Sequence, residues 1–197
     1  MSTPTYIIID TETSGLWPGH NGLIEFAAAI VGQDLQIMDT ISIDIKPPET
    51  TEIDPVSLKI NKFTPARIAA GTPYDEAASA ILTFINNYFT HTSPIFVGQF
   101  YPFDYAFIVQ LFVETGRTKE LSEFMSNRFI DTKSAAMLAN IRAEHQGSPK
   151  PFPSTSLSSP GGLKDKFSVK SYEAHTALGD VLATHEVLVG LIQTSNL

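Results

Sequence analysis

Five side chains of the types that handle protons and cations stand far apart along the chain in a definite order. Asp10 and Glu12 lie in I-I-I-D-T-E-T-S-G, Asp104 in F-Y-P-F-D-Y, and His175 and Asp180 in H-T-A-L-G-D. Carboxylates so distant in sequence serve one purpose only if the fold collects them. A collected cluster repels itself strongly unless divalent cations neutralise it. A histidine beside such a cluster suits hydrolysis by a metal-activated water, with the imidazole taking the proton.

Each piece has a plainer reading beside the chemical one. Asp10 and Glu12 are two apart at the end of a β-branched run, and side chains i and i+2 of a strand share a face. They can grip one cation, or be two surface acids at a strand end. The three isoleucines before Asp10 favour a buried strand that delivers both to the edge of a sheet. Asp104 opens an apolar helix, where a first-turn acid is also stabilising for its own sake. His175 and Asp180 are five residues apart, a rotation of about 140° on a helix, so they cannot share a helical face. The geometry works if His175 sits in a loop and Asp180 on the first turns of the helix that follows. Taken alone, a loop histidine is equally a solvated or capping residue.

The elements that must position these groups follow from periodicity. Tyr6–Ile9, Leu23–Val31 and Gln36–Ile45 read as strands joined by short turns, an antiparallel opening. Lys46-Pro47-Pro48 ends that block, and a loop with short helical pieces fills 49–73. Asp75–Phe89 has helical spacing, with Ala78, Ile81, Leu82, Ile85 and Phe89 on one face. A short strand at Ile95–Val97, a helix at Asp104–Thr115 stopped by Gly116, a strand at Arg128–Ile130 and a helix at Lys133–Glu144 come next. Residues 147–162, G-S-P-K-P-F-P-S-T-S-L-S-S-P-G-G, are expected to form a flexible loop without regular structure. A last helix spans about Ala177–Ile192. The expectation is one domain over residues 1–197, an α/β fold whose mixed sheet has three antiparallel strands, then parallel ones, flanked by helices.

Composition narrows the function. The 197 residues include no cysteine, which excludes disulfides, thiolate nucleophiles and Cys-ligated zinc and agrees with a cytoplasmic location. No signal-peptide pattern opens the chain, and the longest apolar run, Leu23–Val31, is too short to span a membrane and is interrupted by Glu25. The net charge of −8 makes the surface as a whole a poor binder of polyanions. The charge is uneven, however. Residues 133–170 carry Lys133, Arg142, Lys150, Lys164, Lys166 and Lys170 against Glu144 and Asp165, so any phosphate contact is expected there, beside the plainer reading that each is a solvated surface cation.

D-T-E-T-S-G-L, L-I-E-F-A-A-A-I-V, F-D-Y-A-F-I, D-T-K and H-T-A-L-G-D-V-L-A-T, in that order, resemble the DEDDh branch of the DnaQ-like 3′–5′ exonucleases, with a ribonuclease H-like fold. The resemblance runs from Tyr6 to about Leu191. The sister branch carries tyrosine four residues before the last aspartate, where this chain has Thr176. The resemblance implies a two-metal hydrolysis of terminal phosphodiesters at single-stranded DNA or RNA 3′ ends, releasing nucleoside 5′-monophosphates. Asp10, Glu12, Asp104 and Asp180 would hold two divalent cations, Mg²⁺ or Mn²⁺, and His175 would be the general base. The backbone around Thr11 and Thr13, with Leu16 and Phe103, would hold the terminal nucleotide, and Asp131 would support the site from behind. A homodimer, or recruitment by another protein, is a further expectation of this kind; a membrane is not.

The chain departs from the family pattern in places that bear on substrate. Phe100 stands where relatives commonly have asparagine, four residues before the third carboxylate. Asn61 sits where proofreading relatives often carry histidine. The Pro/Ser/Gly stretch replaces a leucine-rich helix and could lay Lys150, Lys164 and Lys166 near phosphates. Two readings of other classes stay open: an exoribonuclease in place of a DNA exonuclease, and a non-catalytic nucleic-acid-binding or partner-docking module on the same fold.

Overall fold

The computed structural model describes residues 2–90, 92–124, 127–170 and 175–194. Its centre is β1 (Pro4–Thr13), in which Ile7, Ile8 and Ile9 are all buried. β1 pairs antiparallel with β2 (Leu23–Gly32), which pairs antiparallel with β3 (Ile37–Lys46). Every residue of β2 is buried, because β2 is flanked by strands on both edges and covered on both faces. β3 is more exposed, and its Thr40, Ser42 and Asp44 lie among isoleucines that turn toward the core.

After β3 come the short helices α1 (Pro55–Asn61) and α2 (Pro65–Ala69), each with proline in its first turn and a side-chain cap from Asp54 and Thr64. A two-residue strand, β4 (Thr72–Pro73), extends the edge beyond β3. The chain then alternates: α3 (Tyr74–Asn86), β5 (Ile95–Gly98), α4 (Tyr101–Glu114), α5 (Thr118–Phe124), β6 (Phe129–Asp131) and α6 (Thr132–His145). β5 runs parallel to β1, and β6 parallel to β5, giving the sheet order β4-β3-β2-β1-β5-β6. α7 (Leu163–Lys166) and α8 (Ala177–Gln193) complete the fold. The expected mixed sheet, antiparallel then parallel and flanked by helices, is what forms.

Alternation along the strands sorts the core into two layers. Ile7 and Ile9 of β1, with Phe26, Ala28 and Ile30 of β2 and Phe96 of β5, pack under α3, α4 and α5. Ile8, Ala27, Ala29, Val31 and Val97 face the other way, onto Ala177, Val181 and Leu188 of α8. This division positions the site, because the charged residues of β1 continue the same alternation.

Three expectations need correction. β1 does not stop at Asp10 but runs to Thr13, since T-E-T continues as extended chain paired with β2. α4 starts at Tyr101 rather than Asp104, with Pro102 in the first turn. Residues 147–162 carry no helix or strand, yet they are tied down. The Asn140 amide donates to the Phe152 carbonyl (2.8 Å) and accepts from its N–H (3.0 Å). Phe152 and Leu157 are buried against α6, α7 and α8. Gly162 closes the loop where a Cβ would collide with the Ser156 carbonyl, so a residue with a side chain does not fit there. No described helix is long and apolar enough to cross a membrane.

Candidate active site

Asp10 and Glu12 follow Ile8 on the face of β1 covered by α8. α8 begins at an N-cap, Thr176, whose hydroxyl accepts from the Gly179 N–H (3.2 Å). Asp180 then lies one turn into the helix, above β1. One carboxylate oxygen from each of Asp10, Glu12 and Asp180 falls within 4.8 Å of the others. His175 immediately precedes the cap, as the spacing required, with φ 65°. It lines a pocket of about 250 Å³ together with Asp10 and Asp180. The facing wall is Ser156, Leu157 and Ser158 of the 147–162 loop, so the segment expected as a flexible loop lines the same pocket. A larger cavity of about 550 Å³ lies at the opposite end of the sheet, beside Leu35 and His185, and contains none of the five residues.

Asp104 reaches the same place from the other side. It is 3% exposed in the first turn of α4. Its Oδ1 accepts from the Thr11 N–H (2.9 Å) and the Thr11 hydroxyl (2.7 Å). Thr11 belongs to the odd-numbered face of β1, toward α4, so the threonine between the two acids clasps the third. Asp104 is therefore not one of the three carboxylates whose oxygens converge, although its charge acts directly on Asp10.

Burial and mutual repulsion work in the same direction throughout the cluster. The Asp10 carboxyl is pushed well above its ordinary range by burial first, then by the charges of Asp104, Asp180 and Glu12. Burial, then Asp180 and Glu25, raises Glu12 to about 8. Burial lifts Asp104 to about 7 against the opposing pull of the Thr11 hydrogen bonds. Side chains held in this condition cannot all be ionised near neutral pH without positive charge among them. The donor set is all oxygen, which fits hard divalent cations such as Mg²⁺ or Mn²⁺.

Glu25 was visible in the sequence only as an interruption of an apolar run, and it belongs to this site. It is opposite Glu12 in the β1–β2 register and 3% exposed. Its Oε1 accepts from the Ser42 hydroxyl (3.1 Å) and its Oε2 from the Ala177 N–H (3.3 Å), two residues after His175. The Arg67 guanidinium lies 3.6 Å from Oε2 while holding Asp44 through two hydrogen bonds. Burial raises Glu25, and the Ala177 N–H and Arg67 oppose the rise. A lone acid inside an otherwise apolar strand was the signal.

The other expected contacts divide. The Thr13 hydroxyl donates to the Gly15 carbonyl (2.6 Å) and so shapes the following loop. Leu16 is exposed beside Trp17 on that loop. Phe103 is half-buried and packs on Phe107. Asp131 caps α6 by accepting from Ser134 N–H (2.7 Å) and also accepts from Tyr101 N–H (2.8 Å), locking the starts of α6 and α4 together. Lys150 pairs with Glu144 rather than facing the pocket.

The RNase_T family model, described as an exonuclease, matches residues 7–188. The chain belongs to this DnaQ-like exonuclease family. Among solved structures, those of E. coli exonuclease I superpose over 98% of this chain. The complex with a dT13 oligonucleotide has a TM-score of 0.75 at 20% identity. The zinc-bound complex with single-stranded DNA has a TM-score of 0.74 at 21% identity. The DNA polymerase III PolC-type protein of Mycoplasmopsis pulmonis (strain UAB CTIP) is 29% identical over 135 residues, 68% of this chain. The chain spans 42% of exonuclease I in the dT13 complex and 8% of the polymerase. The shared fold is the ribonuclease H-like sheet described above.

Proposed function

We propose that this chain is a 3′–5′ exonuclease of the DEDDh branch, releasing nucleoside 5′-monophosphates from single-stranded nucleic acid. The observation that carries the reading is the convergence of Asp10, Glu12 and Asp180 within 4.8 Å, with His175 on the wall of the same pocket. Asp10, Glu12 and Asp180 would hold Mg²⁺ or Mn²⁺, with Asp104 adding charge from the α4 side. Two such ions would activate water and stabilise the departing 3′ oxygen.

The chain's own residues supply the rest. His175 takes a proton from the attacking water as the new P–O bond forms and the bond to the 3′ oxygen breaks. Its left-handed backbone, set just ahead of the Thr176 cap, keeps the imidazole off the helix and over the pocket. Glu25 fixes the turn that carries it through the Ala177 N–H. Leu16 and Phe103 flank the terminal nucleotide, while the Thr11 and Thr13 hydroxyls hold Asp104 and the loop rather than substrate.

The oligonucleotides named with exonuclease I are DNA, which makes single-stranded DNA the first substrate to test and matched RNA the second. The purified protein should degrade a 5′-labelled DNA oligonucleotide from its 3′ end with Mg²⁺ or Mn²⁺. An Asp10→Ala variant that does so as fast as wild type would refute the reading.

A further inference from the structure

The end of β5 holds a feature that hydrolysis does not use. Phe100 has φ 70° and ψ 43°, a left-handed conformation that a bulky side chain adopts only under constraint from its surroundings. It stands at the N-cap of α4 and makes no side-chain capping bond, so the position is served neither by a small residue nor by a polar cap. The constraint comes from both neighbours. Gln99 donates to the Thr155 carbonyl (2.9 Å) and its Oε1 accepts from the Thr132 hydroxyl (2.5 Å), while Tyr101 N–H is held by Asp131.

The result is an aromatic ring, 52% exposed, on the wall of the pocket that contains Asp10, His175 and Asp180. The Lys133 ammonium lies over it, 4.7 Å from the ring centroid, and lines the same pocket. None of the ion pairs among the described residues involves Lys133. Phe103 supports the arrangement, its ring within 18° of parallel at 6.5 Å.

We infer that Phe100 and Lys133 form a nucleotide subsite beside the carboxylates, the ammonium leaving the ring face to pair with a phosphate of the single strand while the adjoining base stacks on the ring in its place. This rests on the exonuclease reading above. An aromatic face accepts any base, so the subsite grips the strand without reading sequence. It also gives an acidic chain a local cation where a polyanion must pass five acids, counting Glu25.

The test is digestion of single-stranded DNA oligonucleotides carrying one abasic position, scanned inward from the 3′ end. In wild type, one position near the end should lower kcat/KM by about 5- to 150-fold. In Phe100→Ala the intact oligonucleotide should lose a similar factor, mainly through KM, and the abasic position should cost nothing further. Phe100→Trp should restore the sensitivity. Phe100→Gly, which relieves the left-handed backbone, should melt no lower than wild type yet show the same KM defect, separating substrate grip from folding. Lys133→Ala should reduce the slope of log KM against log salt by about 0.7. Wild type that cuts but responds equally to abasic positions with and without Phe100 would overturn the subsite alone. Wild type that leaves the intact strand uncut would overturn the exonuclease reading itself.

Discussion

On the side of β1 that faces α8, Ile8 is followed by Asp10 and Glu12; on the side that faces α4, Ile9 is followed by Thr11 and Thr13. The first side gathers charge, since α8 brings Asp180 and β2 brings Glu25 to it. The second side donates hydrogen bonds, to Asp104 and to the Gly15 carbonyl. One strand thus holds the acids proposed to bind cations on one face and the donors that orient a further acid on the other. The difference shows why D-T-E-T is more than two acids with spacers.

Breaking the charged face should have the largest effect. Asp10→Ala or Asp180→Ala should abolish detectable digestion, and calorimetric titration should lose most Mn²⁺ binding in the low-millimolar range. Wild type that binds no Mn²⁺ there would favour a non-catalytic module. His175→Ala should lower kcat by about 10²- to 10⁴-fold while leaving the melting temperature and Mn²⁺ binding near wild type.

The carboxylate cluster as a whole should respond to pH in a particular direction. Glu12 is raised from an ordinary 4.5 to about 8, and Asp104 from 3.8 to about 7. Between those values the folded chain holds more protons than the unfolded one. Without metal, the contribution of these two groups to stability is therefore full below about pH 4 and falls as pH rises toward 8. Thermal melts in EDTA should show this decline. Saturating Mn²⁺ should offset it, by about 2.7 kcal/mol at a hundredfold excess over Kd. A metal-free melting temperature that climbs between pH 5 and 8 would break the claim.

The donor face should give the smallest effects. Thr11→Val keeps the N–H to Asp104 Oδ1 but removes the hydroxyl, and should cost about 10- to 100-fold in activity with the fold intact. Thr13→Val, which touches no carboxylate, should cost less. Equal losses at the two positions would dissolve the distinction between orienting Asp104 and shaping the loop.

Much of this could be read from local pattern, and what could not depended on distant partners. Periodicity located the strands and long helices, and the five-residue interval required His175 before a helix and Asp180 on it. The extension of β1 to Thr13 is not legible locally, because its first charge resembles a strand end and only pairing with β2 carries the strand on. The start of α4 is legible in Pro102, which suits a first helical turn, three residues nearer the N-terminus than Asp104 alone suggests. The order of the 147–162 loop was not legible, because it comes from Asn140 and from burial of Phe152 and Leu157. Nor was the conformation of Phe100, since nothing local distinguishes a left-handed phenylalanine from any other.

The carboxylates that converge come from positions 10, 12 and 180. Bringing together residues so far apart in sequence costs more loop-closure entropy than forming the local β1–β2–β3 hairpins. During synthesis, the third acid and His175 leave the ribosome long after the first two. An incomplete chain therefore carries no assembled site, and the proposed hydrolysis waits until α8 has docked.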